Sequence, residues 1–194
     1  MMEPAPRIRS LFLDDALTYD GSQLRSHWIY EQCGLEGDVI VAFSGPCDVQ
    51  LDHMVDVEDR VRESKIAAAA MLHFLVEHFD AGIGAAVLRQ HLLVSNMAEI
   101  LNARLGAPQV RRQGSDLFVG DAKLTVSVAT VSPVSALIHA GINVTDEGTP
   151  VRTCSLEKLG IEPRAFGVAV LEAYIREIQS TWRARCKARP AWGR

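Results

Sequence analysis

"GSDLFVGDAKLTVSVATVSPVSALIHAGINV", residues 114–144, falls into three short runs rich in β-branched residues, separated at Gly120-Asp121 and at Ser132-Pro133. Both breaks are turn-forming pairs, so the stretch predicts three antiparallel strands: "DLFV", "AKLTVSVATV" and "SALIHAGINV". It contains one lysine, Lys123, placed at the start of the longest run. An ammonium held by a packed sheet can stabilise charge on a reacting oxygen with little reorganisation. The alternative is an edge-strand cation that keeps a hairpin soluble.

Outward from this hairpin, "RIRSLFLD" reads as a short strand ending at Asp14-Asp15, and "SQLRSHWIYEQCG" as a helix with Ser22 at its N-cap and Gly34 at its stop. "GDVIVAFSG" is a buried strand, and Gly45-Pro46 turns into "CDVQLDHMVDVED", whose apolar residues fall at even spacing with a phase change near His53. In "MLHFLVEHF" the alternation of a strand puts His73, Leu75, Glu77 and Phe79 on one face and Leu72, Phe74, Val76 and His78 on the other. "GAAVLRQHLLVSNMAEILNARLG" is a long amphipathic helix that stops at Gly106, and a final helix runs from Pro163 to about Arg185. The expected class is α+β, a mostly antiparallel sheet flanked by helices that cover one face.

The chain has 194 residues, 48% of them hydrophobic and 23% charged, with neither repeats nor a linker, so one domain spanning 1–194 is expected, ending in a basic tail at about 183–194. A net charge of -4 argues against a partner bound through nucleic-acid phosphates. The N-terminal residues lack the apolar core of a signal peptide, and no segment approaches the roughly 20 apolar residues of a membrane span, so a cytoplasmic protein without membrane contact is expected. Cys33, Cys47, Cys154 and Cys186 are scattered and form no CxxC pair, which signals neither a disulfide framework nor a zinc site.

"SDLFVGDAKLTVSVAT" followed by "LIHAGINV" resembles the centre of the biotin and lipoate protein ligase superfamily, where a Ser-Asp-Leu strand turns through glycine into the strand of the catalytic lysine and returns in a strand ending Gly-x-Asn. Asp116, Lys123, Gly141 and Asn143 fall on those positions. Over nearly its whole length, through "RSHWIY", "VAFSGPCDV", "HMVDVED" and "HFLVEHF", the chain is identified as a member of the domain-of-unknown-function 366 family. The superfamily resemblance implies a class II synthetase-like catalytic fold and octanoyl- or lipoyl-type acyl transfer. It also implies a nucleophilic role for Cys154, which follows the hairpin and precedes an expected helix start at Ser155, where a thiolate would be favoured. The glycine-rich adenylate loop of the ligases has no counterpart here, so no ATP site is recognised and the cofactor is unknown.

The remaining candidates are polar residues that could orient a ligand or exchange its protons. His53 and Asp56 lie in "HMVDVED", His73 and Glu77 in "HFLVEHF", and His139 in "HAGIN". Arg25, His27 and Arg89 could hold an anionic group from helices, and Ser132 could donate from the hairpin end. The expected partner is a small molecule or an acyl carrier. A binding module without chemistry and a metal-assisted hydrolase using the histidines and acids are the alternatives, although the His and acid spacing fits no metal signature.

Overall fold

The computed structural model describes residues 8–64, 66–80, 82–189 and 191. Arg7, which opens the first expected strand, and most of the tail beyond 189 lie outside them. In chain order the elements are β1 (Ile8–Phe12), α1 (Trp28–Cys33), β2 (Asp38–Val49), α2 (Val57–Val61), β3 (Ile66–His78), α3 (Ile83–Leu105), β4 (Val110–Gln113), β5 (Asp116–Val119), β6 (Ala122–Lys123), β7 (Thr125–Val131), β8 (Ala136–Asn143) and α4 (Pro163–Lys187). The large sheet has the order β1-β2-β3-β8-β7, and a small one has the order β4-β5-β6. Among the named strands of the described residues only β1 on β2 is parallel and the other pairs are antiparallel, as expected for the class; isolated parallel bridges join Tyr19 to Cys47 and Lys123 to Thr153.

β3 is central because its residues from Met71 to His78 are apolar or hydrogen-bonded on both faces and all are buried. The alternation holds. Leu72, Phe74 and Val76 face a core shared with Leu93, Met97 and Leu101 of α3 and with Phe166 and Val170 of α4. Met71 and Leu75 face a second core with Val41 and Phe43 of β2 and with Tyr19, Trp28 and Ile29. The face opposite the long helices is therefore covered in part by residues 13–35 rather than by a third long helix. α4 starts where Glu162 accepts from the N–H groups of Arg164 and Ala165, with Pro163 in the first turn.

Three local expectations are corrected. Ser22 caps no helix: its N–H and hydroxyl donate to Asp20 Oδ1 in an Asx turn, and helix begins only at Trp28, after His27 takes a left-handed φ of 66°. The run "AKLTVSVATV" is divided between the two sheets, because Leu124 turns into the helix-side core and its N–H donates to Leu117 O. α4 continues to Lys187, so residues 183–187 of the expected tail are helical.

Beneath the helices runs a buried chain of polar groups. Asp38 Oδ2 accepts from His78 Nδ1 at 2.9 Å, and His78 Nε2 accepts from the Tyr174 hydroxyl at 2.9 Å. Burial alone would raise the Asp38 pKa, but the hydrogen bonds from His78 and the Phe79 N–H hold it below the ordinary carboxylate range. Tyr174→Phe strands His78 Nε2 inside the core, so a loss of about 1–3 kcal/mol is expected in urea unfolding at neutral pH, with the m-value unchanged.

Candidate functional site

A cavity of about 340 Å³ opens on the sheet face away from α3 and α4, within the range of small-molecule sites. Its floor is formed by β3, β7 and β8, and its rims by residues 49–66 and 149–153. Strand register gives it length. Val128 is level with His139, whereas Asn143, whose side chain donates to Lys123 O, lies four residues further along β8, about 13 Å away by strand rise. Val49, Met54, Ile66, Met71, Val126 and Val128 give it largely apolar walls.

At one end Lys123 Nζ lies 2.8 Å from Asp116 Oδ2. The turn Gly120-Asp121 sets this pair by folding β6 against β5, with Phe118 opposite Lys123. The lysine backbone is tied on the other side as well: Lys123 N–H donates to Arg152 O, Cys154 N–H donates to Lys123 O, and Asn143 Nδ2 donates to Lys123 O and Cys154 O. Burial raises the Asp116 pKa, the Lys123 hydrogen bond and charge oppose this, and Asp59 adds to the rise. The net shift is upward, so a carboxylate beside a lysine is nonetheless a stronger base than usual. Asp59, whose charge acts on Asp116, lies near this end, and Asp56 also lines the cavity. Asp56 spends Oδ1 as the cap of α2, accepting from Glu58 and Asp59 N–H.

At the other end Tyr19 stacks on His139, with ring centroids 3.7 Å apart and planes 11° from parallel. His139 Nε2 meets His73 Nδ1 at 3.1 Å, and His73 Nε2 meets Gly45 O at 3.2 Å. Burial pushes His73 down to about 4 and His139 well below its ordinary value, so both rings are neutral at physiological pH. A Cβ on Gly141 would lie 2.8 Å from Met71 Cε and 3.4 Å from His139 Cε1, so glycine lets both side chains close on the floor.

The structure thus brings Lys123, Asp116, Asn143, His139, His53 and Asp56 to one cavity, with His73 directly behind His139. It separates the others. Glu77 accepts from the His27 N–H and the Ser135 hydroxyl at the far end of β3, and Ser132 Oγ accepts from Val134 and Ser135 N–H in its turn. Arg25 pairs with Glu31, and Arg89 with Asp80. Cys154 is buried in the helix-side core while its neighbour Thr153 lines the cavity, and the segment after it forms turns rather than the expected helix at Ser155. Tyr19 and Asp59 complete the site. No sequence pattern marks Tyr19, since the contact that matters joins it to His139, far along the chain.

The histidines and acids proposed for a metal do not converge. Among the described residues, the group that brings ligand atoms within 4.8 Å of one another is Asp38, His78 and Asp80, on the helix side. Those atoms are already engaged by one another and by Arg89.

A family model for a domain of unknown function, DUF366, matches residues 8–189. The chain belongs to that family. An uncharacterised protein of Methanocaldococcus jannaschii is 35% identical over 158 residues, covering 78% of this chain and 71% of the relative. A solved protein of unknown function from Pyrococcus horikoshi superposes with a TM-score of 0.91 at 37% identity, covering 95% of this chain and 99% of that one. The fold extends further, to biotin protein ligase from Aquifex aeolicus in complex with biotin and ATP, at TM-score 0.59 and 12% identity over 88% of this chain and 70% of that one. It also reaches P. falciparum LipL1 in complex with lipoate, at TM-score 0.55 and 10% identity over 91% and 63%. The fold is therefore that of the biotin and lipoate ligases. No helix among the described residues is long and apolar enough to cross a membrane.

Proposed function

We propose that the chain binds an elongated acyl group in the cavity and transfers it from a neutral activated donor, such as a thioester, to an external nucleophile. The observation that carries this reading is the Lys123 and Asp116 pair at the end of a long, apolar-walled slot. The acyl carbonyl lies against Lys123, whose ammonium stabilises the oxyanion as an amine or water adds to the carbon. Asp116, raised in pKa, accepts the proton lost by the nucleophile. The tetrahedral intermediate collapses, the bond to the donor sulfur breaks, and the leaving thiolate departs with a proton.

Among the described residues, three carboxylates, Asp56, Asp59 and Asp116, and one lysine, Lys123, line the cavity. This favours a donor already activated as a neutral ester over a polyphosphate, and draws a cationic amine toward the reacting end. Cys154, packed in the other core, has no role in this scheme.

The test is thiol release from octanoyl and lipoyl thioesters of coenzyme A and of carrier protein, with and without an amine acceptor. Lys123→Ala is expected to lower the rate about 100-fold or more, with the fold checked by circular dichroism, and Cys154→Ala to leave it within about twofold. An octanoyl adduct on Cys154 that is required for turnover would replace direct transfer with an enzyme thioester. Absence of turnover with every donor, in folded protein, would sink the acyl-transfer reading.

A further inference from the structure

The histidine pair has a direction. Gly45 O can only accept, so His73 Nε2 carries the proton of that neutral ring and His73 Nδ1 is bare. His73 Nδ1 therefore accepts, which makes His139 Nε2 the donor and leaves His139 Nδ1 as a bare acceptor. His139 is 3% exposed, lines the cavity, and its Nδ1 has no hydrogen-bond partner among the described residues. Among the described residues the fully enclosed side-chain atoms without a partner are Asn96 Nδ2 and Thr145 Oγ1, so the His139 acceptor is open to the cavity, where a ligand can supply its donor in place of water.

We propose that His139 Nδ1 is a specificity site that accepts a hydrogen bond from a neutral O–H or N–H group at the distal end of the acyl chain, so the ligand is an ω-hydroxyl or ω-amide acyl compound rather than a plain fatty acyl group. This rests on the acyl reading above and refines it. The tautomer is fixed by a backbone carbonyl, which cannot reverse its role, so His139 discriminates by polarity: it welcomes a donor and repels a second acceptor such as a ketone or carboxylate. Tyr19 covers one face of the imidazole. Asp116 and Lys123 lie at the opposite end of the slot, so the two polar groups of the ligand are separated by an aliphatic chain.

The test uses N-methyl amides as neutral, non-transferable probes: straight-chain acids of six to ten carbons, each paired with its ω-hydroxyl analogue, titrated calorimetrically into wild-type protein and His139→Phe. At the best chain length the hydroxyl-ended probe is expected to bind wild type about tenfold tighter than the methyl-ended probe of equal length, and the ratio should fall to about one in His139→Phe. Equal affinities in wild type, or a preference that survives in His139→Phe, would overturn the assignment. Should that variant fold poorly, side-chain ¹⁵N resonances of the wild type decide it: the hydroxyl-ended probe is expected to move His139 Nδ1 and the methyl-ended probe to leave it in place. If both series bind alike and turnover is present, the acyl reading stands and this inference fails. If neither series binds, both fall.

Discussion

Gly45→Ala is expected to destabilise the protein by about 3 kcal/mol or more and to abolish ligand binding with it. A Cβ at this position would lie 2.0 Å from Leu17 O and 2.7 Å from Leu17 C, so backbone rather than a flexible side chain would have to move. The segment it meets is laid along β2 by a series of bonds: Leu13 N–H to Ala42 O, Leu17 N–H to Ser44 O, Tyr19 N–H to Pro46 O and Asp48 N–H to Tyr19 O. The register of β2 against β3 shifts between Gly45 and Cys47, and that irregularity is where residues 17–19 come closest. Displacing Leu17 carries Tyr19 away from His139 and disturbs the carbonyl that accepts from His73. Urea unfolding at neutral pH measures the loss, with Gly84→Ala as comparison. Gly84 lies in the first turn of α3 with nothing within 4 Å of its Cβ position, so alanine there should be neutral or stabilising by about 0.5–1 kcal/mol. Equal midpoints for the two variants would show that the Leu17 segment yields without cost.

This dependence explains why the site was only half legible in the sequence. Turn chemistry at Gly120-Asp121 is local, so the hairpin that carries Asp116 and Lys123 was plain in residues 114–144, whereas Asp116, Lys123 and Asn143 were marked as a set by the resemblance to the ligases. The two faces of β3 were equally plain, because one core takes Leu72, Phe74 and Val76 and the other takes Met71 and Leu75. Alternation, however, gives the face and not the distance along it. Glu77 shares a face with Met71 yet lies six positions on, about 20 Å away by strand rise, and so serves the His27 and Ser135 corner instead of the cavity. Tyr19 has no periodic signature at all. Its place is set by the close approach of residues 17–19 to Gly45, a tertiary event. The placement of Cys154 is hidden for a related reason: parallel pairing of Thr153 with Lys123 alternates the facing of adjacent residues, which turns the thiol into the helix-side core.

The second large effect is a loss of stability in mild acid. His73 is held neutral by burial down to about pH 4, whereas in the unfolded chain it titrates near its ordinary 6.5. Between those values the unfolded state binds the proton and the folded state does not, so stability falls as pH drops through this window and is fully present above it. One proton over that interval corresponds to roughly 3 kcal/mol for His73 alone, and His139, also lowered by burial and by the His73 charge, acts in the same direction. Asp38 adds to the acid loss at lower pH, because its folded pKa lies below the ordinary 3.8 and its contribution disappears only beneath that value. The two causes therefore separate on the pH axis. Urea unfolding at half-unit steps from pH 7.5 to 4.5 is expected to show a steep decline in wild type and a shallower one in His73→Leu, whatever that substitution costs at neutral pH. A wild-type profile flat across this range would mean that the folded protein accommodates a proton on the pair, and the fixed acceptor at His139 Nδ1 would then lose its basis in acid as well.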